Sequence, residues 1–202
     1  MKNLLILTIL VFSMQLLVGA QTKSTAFNQG SWELNFTGSL GSIESKTESS
    51  SIYFSGSHSE SQTYFQLGII PAYYIIEGLS FEPEINILAI ENTEPSFLFL
   101  GNLAYTFKIE SSHFFPFVRA GYGITNAFQF PVNGTLIQRI SSSLDIGVLN
   151  LGAGLKTLLT ESVLLRTEIN YRKFSYSEDS GYVNYSYDLS SIALVFGFSV
   201  LL

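Results

Sequence analysis

"NLGAGLKTLLTESVLLRTEINYRKF", residues 150–174, alternates polar and apolar residues on both sides of a turn at Thr160 to Ser162. One face carries Asn150, Gly152, Gly154, Lys156, Arg166, Glu168, Asn170 and Arg172; the other carries Leu151, Ala153, Leu155, Val163, Leu165, Ile169 and Tyr171. A period of two marks strands with unlike faces. In a soluble sandwich the apolar face packs the core and the polar face meets water. In lipid the solvent is reversed, and the polar face must turn inward. The composition of the chain and the placement of its glycines decide between the two.

Hydrophobic residues make up 47% of the chain and charged residues 13%, against roughly 25% charged in ordinary soluble domains. Past residue 20 no apolar run approaches the roughly 20 residues of a spanning helix. A chain this apolar that crosses a membrane must therefore cross it as strands. Glycine argues the same way: Gly68, Gly121, Gly123, Gly152, Gly154 and Gly197 all fall on the polar face. Glycine weakens a strand, which serves nothing on a wetted face, but it makes room inside a narrow eight-stranded barrel.

The N-terminus reads as an export signal: Lys2, an apolar run from Leu4 to Val18, then Val18-Gly19-Ala20 ahead of Gln21. Small residues at the minus 3 and minus 1 positions place cleavage after Ala20, so the sequence divides into a signal peptide at 1–20 and one domain at 21–202. Lys2 is the one charge in that leader, which leaves 9 basic against 16 acidic residues in the remainder of the chain. Such a balance excludes nucleic acid as a partner. Cysteine is absent, so neither a disulfide framework nor a cysteine-borne lipid anchor is available.

Eight strands are expected, at about 31–41, 63–75, 79–90, 96–108, 115–126, from near 142 through 158, from 163 to about 174, and 188–202. Connections at 42–62, 127–141 and 175–187 are long and polar; those at Glu77-Gly78, Glu110 to His113 and Thr160 to Ser162 are short, as is 91–95. Long loops at one end and tight turns at the other are the rhythm of an outer-membrane barrel. One irregularity stands out. Leu144, Ile146 and Val148 share parity with Asn150 and not with Leu151, which calls for a bulge near Gly147 or a strand end clear of the bilayer.

Closing these strands brings Glu33, Glu82, Glu84, Arg119, Arg166 and Glu168 to similar heights near the short-turn end, with Lys156 and Arg172 nearby. Unpaired charges in a narrow lumen are costly, so the eight are expected to form an internal network that packs the barrel. Candidate contacts with other molecules then lie in the loops, at Phe128, Phe130, Tyr176, Tyr182, Tyr185 and Tyr187, where aromatics either bind a ligand or cover one another across extended hairpins.

"PFVRAGYGI" (116–124) and "LGAGLKTLLTESVLLRTEINYR" (151–172) resemble the fifth to seventh strands of the OmpA- and OmpX-like small outer-membrane barrels, the outer membrane protein beta-barrel families. The resemblance implies an all-β, eight-stranded antiparallel up-and-down transmembrane barrel in the outer membrane of a Gram-negative bacterium. It implies a monomer in contact with outer-membrane lipid and no cofactor. Gly197, Val200 and Leu202 resemble the C-terminal signal read by the barrel-assembly machinery, with Leu202 where an aromatic is usual.

Other chemistries are weaker. Gly30-Ser31-Trp32 is found in soluble lipocalin-like binders, but their outer face is polar. His58-Ser59-Glu60 has the residue types of a lipid-modifying barrel enzyme, yet neighbours in a Ser-rich loop do not preorganise a triad. His58 and His113, so far apart, give no metal-ligand set. Glu82 and Glu84 share a face like paired glycosidase carboxylates but lie inside the barrel and not in a cleft. The expectation is a barrel that is no enzyme and has a structural or surface-binding role, with a narrow small-solute channel as the alternative.

Overall fold

The computed structural model describes residues 26–51, 54–90, 95–109, 112–125, 131–132, 135–136, 146–179 and 184–202, with side chains undescribed at 43–51, 54–62, 90, 131–132, 135–136, 176–179 and 184–188. Its strands are β1 (Trp32–Ser51), β2 (Phe54–Ile76), β3 (Leu79–Ile90), β4 (Ser96–Thr106), β5 (Phe114–Thr125), β6 (Pro131–Val132), β7 (Thr135–Leu136), β8 (Ile146–Leu158), β9 (Val163–Asp179) and β10 (Asn184–Leu201). Eight of them form a closed antiparallel barrel in the order β1-β10-β9-β8-β5-β4-β3-β2, while β6 and β7 pair separately. The wall closes where β1 meets β10, from Glu33 opposite Leu201 to Lys46 opposite Asp188.

Alternation sorts the side chains. In β4 every second residue is buried, from Ser96 to Thr106, and those between are exposed. Across the barrel the exposed set includes Phe36, Leu67, Ile85, Leu103, Ile169 and Ile192, while the buried set includes four Glu, three Arg and one Lys. This inversion excludes the lipocalin-like reading and makes the outer face the one that meets lipid. At the short-turn end the exposed rings stack in pairs: Trp32 on Tyr73 with centroids 4.9 Å apart, and Tyr105 on Phe107 at 5.0 Å. Amphipathic rings at that height form an interface girdle.

The short turns are built locally. In the β2–β3 turn Gly78 has φ +76°, and a Cβ there would stand 2.7 Å from the Thr106 carbonyl. In the β8–β9 turn the Leu159 amide donates to the Val163 carbonyl at 2.8 Å, and the Thr160 hydroxyl accepts from the Val163 amide at 3.1 Å. The β2–β3 ladder runs from Tyr64↔Ile90 to Ile69↔Ile85 and resumes at Tyr73↔Phe81, with a register shift between Tyr74 and Ile76. Pro71 and Pro83 lie in the gap, and proline cannot donate to a ladder. In the same stretch Asn35 and Asn102 donate their side-chain amides to the carbonyls of Ile70 (2.8 Å) and Glu82 (3.1 Å).

Three expectations are corrected. The 42–62 and 175–187 segments are mainly strand: β1 runs to Ser51 against β2 from Phe54, and β9 runs to Asp179 against β10 from Asn184. Strands of 20, 23, 17 and 18 residues (β1, β2, β9, β10) therefore stand together as a tall half of the wall, beside 12, 11, 12 and 13 in β3, β4, β5 and β8. In these extensions period two is missing from the sequence although the backbone pairing continues. His58-Ser59-Glu60 thus belongs to β2 and not to a loop. Finally, no bulge occurs near Gly147: β5 and β8 pair without interruption from Phe114↔Thr157 to Thr125↔Ile146. Ile146 and Val148 share the parity of Asn150 because they also point inward, where both are buried.

Ile169, 59% exposed in the middle of the apolar band, reports on the solvent outside. Ile169→Arg is expected to lower unfolding stability in lipid vesicles by about 2–4 kcal/mol, the cost of a cation near the bilayer midplane. Denaturant titration of the reconstituted protein measures it, and an unchanged midpoint would refute the lipid-facing assignment.

The barrel lumen as candidate functional site

The inward positions of single strands specify a stratified interior. Reading β9 from the turn end, they are Leu164, Arg166, Glu168, Asn170, Arg172 and Phe174, all buried. Reading β8 from the other end, they are Ile146, Val148, Asn150, Gly152, Gly154, Lys156 and Leu158. Apolar residues thus bracket a charged middle.

The structure brings all eight sequence-predicted charges into that middle, each at most 3% exposed. They form one line of alternating sign. Glu33 accepts from Lys156 Nζ at 2.7 Å; Lys156 Nζ also stands 3.6 Å from Glu82. Glu82 faces Arg166, Oε2 to Nη2 at 3.1 Å and Oε1 to Nη1 at 3.4 Å, a bidentate fork. Arg166 Nη2 reaches Glu168 Oε2 at 3.1 Å, and Glu168 Oε1 takes Arg119 Nε at 2.6 Å. Arg119 Nη1 continues to Glu84 Oε2 at 2.6 Å, and Glu84 Oε1 ends on Arg172 Nη2 at 2.8 Å. Four carboxylates and four cations leave no net charge.

Neutral side chains complete the geometry, and these were not singled out from sequence. Asn86 and Asn102 donate to Glu84 at 2.7 and 3.1 Å, and Asn170 donates to Glu168 at 2.9 Å. Arg172 donates to Gln66 and, at 3.0 Å, to Asn150, which in turn donates to Asn102 at 2.6 Å. Tyr74 donates its hydroxyl to Glu33 at 2.6 Å and accepts from Lys156 at 3.0 Å. Phe117 lies under the Arg166 guanidinium, 4.4 Å from Cζ to the ring centroid, a cation–π contact in a dry setting. The available signal was parity: Gln66, Asn86, Asn102, Asn150 and Phe117 share a face with neighbouring charges, but an amide or a ring carries no charge that demands a partner.

Gly152 illustrates the crowding that glycine relieves. A Cβ there would fall on the Glu168 carboxylate and 3.1 Å from Cγ of Arg119. Above the network lies an apolar cluster of Tyr64, Leu88, Leu98, Leu100, Ile146, Val148, Phe174, Leu189 and Ala193. Leu98 and Leu100, inward residues of β4, are part of it.

Among the described residues no group of three or more His, Asp or Glu is placed to hold a metal ion. Of the loop candidates, Phe128, Phe130 and Tyr182 lie outside the described residues; Tyr176, Tyr185 and Tyr187 are on β9 and β10, with side chains outside them. The expected signal peptide at 1–20 also lies outside the described residues.

The family model described as outer membrane protein beta-barrel domain matches residues 6–199. Among solved structures, Neisserial surface protein A (NspA) is similar at 20% identity, covering 82% of this chain and 96% of that one, TM-score 0.52. The outer membrane enzyme PagL is similar at 15% identity, covering 81% of this chain and 97% of that one, TM-score 0.54. Outer membrane protein AlkL, solved in lipid bilayers, is similar at 18% identity, covering 91% and 95%, TM-score 0.50. At these identities the likeness is one of fold. A comparison with curated proteins finds no match.

Breaking the line exposes its energetics. Arg166→Met takes one of two cationic partners from each of the buried carboxylates Glu82 and Glu168 and is expected to cost about 3–5 kcal/mol. The Glu82→Gln/Arg166→Met double variant is expected to cost less than the two single losses combined, with a coupling of about 0.5–3 kcal/mol. Denaturant unfolding of the four proteins in vesicles tests this, and strict additivity would contradict it.

Proposed function

The chain belongs to the outer membrane protein beta-barrel domain family, and on that premise we propose that it is a monomeric barrel of the Gram-negative outer membrane with a structural or surface-binding role exercised through its loops. The observation that carries this reading is the state of the lumen. Eight charges and their amide partners fill it, each charge at most 3% exposed, under an apolar cluster whose members are at most 5% exposed. A transported ion would have to part pairs 2.6–3.6 Å long and cross the apolar cluster that includes Leu88, Leu98, Ile146 and Phe174. Eight strands enclose about the width that side chains alone fill. Chemistry with another molecule is therefore placed outside the wall.

In this reading residues 1–20 direct export and are removed after Ala20, leaving 21–202 as the barrel domain. The assembly machinery reads the end of β10 around Gly197, Val200 and Leu202. Phe128, Phe130, Tyr176, Tyr182, Tyr185 and Tyr187 supply aromatic surface at the loop end. We read the protein as no enzyme: His113 lies at the turn end, whereas His58 is near the top of β2, so the two histidines do not share a site.

Two measurements check this. Purified protein in planar bilayers is expected to give no stable discrete conductance steps; such steps would overturn the filled-lumen reading and revive a small-solute channel. Replacing Phe128, Phe130 and Tyr182 with Ser is expected to preserve heat-dependent gel mobility while reducing adhesion of expressing cells to glycan- or serum-protein-coated surfaces. Unchanged adhesion would remove those three residues from the proposal.

A further inference from the structure

The segment before β1 does not run straight into the wall. Phe27 has φ +66°, the one non-glycine residue with positive φ among those described, and its side chain is fully buried. A left-handed backbone costs an L-residue about 1–2 kcal/mol, so the fold holds it there against local preference. Burial of the ring, worth roughly 1.5–3 kcal/mol, offsets that cost.

The ring sits across the short-turn mouth of the barrel. Its centroid is 4.9 Å from that of Phe115, edge-on, and 5.5 Å from that of Tyr74. Leu158 and Leu164 complete the cluster, with Leu201 packed against it. These residues come from β2, β5, β8, β9 and β10, so the cluster that holds the ring draws on several sides of the wall. On its inner side Lys156 Nζ is 5.5 Å from the ring centroid, directly below the Glu33–Lys156–Tyr74 contacts.

The backbone around the ring is fastened to the turns. The Phe27 carbonyl accepts from the Gly78 amide at 2.9 Å, and the Gly30 amide donates to the Tyr74 carbonyl at 2.8 Å. Lys108 donates to the Asn28 side-chain oxygen at 2.8 Å and pairs with Glu77 at 2.7 Å. The next residues, Ser31 and Trp32, already belong to the rim and the wall.

We propose that residues 26–31 form a stopper for the turn-end mouth, with Phe27 as the plug that keeps water and solutes from the Glu33–Lys156–Tyr74 end of the charge line. Short turns of such barrels face the periplasm, so the stopper closes the periplasmic side, opposite the apolar cluster. The seal is a distinct element from the loops and the charged middle. A conducting barrel would defeat the proposed function, whereas the stopper stands or falls on local access at its own end.

The absence of cysteine allows a clean test. Leu158→Cys places a single thiol in the buried cluster that holds the Phe27 ring in the full-length, lipid-reconstituted protein, and a charged, membrane-impermeant thiol reagent reports access. With Phe27 present the reaction is expected to be slow. Phe27→Gly removes the ring and suits the positive φ, and is expected to raise the rate roughly tenfold or more, since a closed site reacts only through rare openings. A Leu88→Cys reporter in the apolar cluster at the opposite end is expected to react at the same rate in both backgrounds. Should Phe27→Gly lose the heat-dependent mobility of a folded barrel, Lys108→Ala, which keeps the ring but cuts the Asn28 and Glu77 contacts, is expected to give a smaller rise. Fast modification of Leu158→Cys with Phe27 in place, or no change with either variant, would overturn the stopper. A parallel rise at Leu88→Cys would overturn it too, as general loosening of the wall.

Discussion

Charges shut away from water must neutralise each other, and eight of them occupy one narrow lumen in this protein. The solution is a line in which sign alternates without exception, from Glu33 through Lys156, Glu82, Arg166, Glu168, Arg119 and Glu84 to Arg172. Every interior member touches two opposite charges, so neutralising one member takes a partner from two buried groups at once. Such an arrangement is weak evidence for net stability, because desolvation of each ion is expensive. It is strong evidence for register. A slip of one residue in β9 would exchange Arg166 and Glu168 for Thr167 and Ile169, putting the charges into lipid.

The apolar layers at either end of the line follow from the same requirement. Water entering the middle would screen the pairs and compete for their hydrogen bonds. Single strands carry both zones: β3 presents Glu82, Glu84 and Asn86 inward and then Leu88, and β9 starts with Leu164 and passes through its charges to Phe174. Among the described residues the strands set most of the boundary of the polar section, and Ala26 and Phe27, ahead of β1, add to the apolar layer at the turn end.

What was legible in the sequence was what a two-faced environment imprints on alternate positions. From Phe65 to Tyr73, or from Leu151 to Tyr171, lipid on one side and a polar lumen on the other leave a pattern that needs no structure to read, and the charged residues follow from it because a buried charge demands a partner. β1 past Gly41 and β2 before Thr63 carry no such alternation in the sequence, which is why they read as a polar loop although their backbones pair. Ile146 and Val148 misled for the opposite reason: an apolar residue is at home on either side of this wall, so its parity with Asn150 looked like a fault in register. Phe27 belongs to no strand, and nothing periodic points to a ring placed by a single left-handed residue.

The distribution of the lumenal charges along the chain has a consequence for cooperativity. Strands β1 to β4 bring Glu33, Glu82 and Glu84 and no base; β5, β8 and β9 bring Arg119, Lys156, Arg166 and Arg172 against the single acid Glu168. Each half of the barrel would therefore present an inner surface of one dominant sign, three negative on one and three positive on the other. Neither half has a way to satisfy itself, and each is the other's counterion. A partially assembled wall carries uncompensated charge toward the membrane interior, so the barrel has good reason to form all at once or not at all.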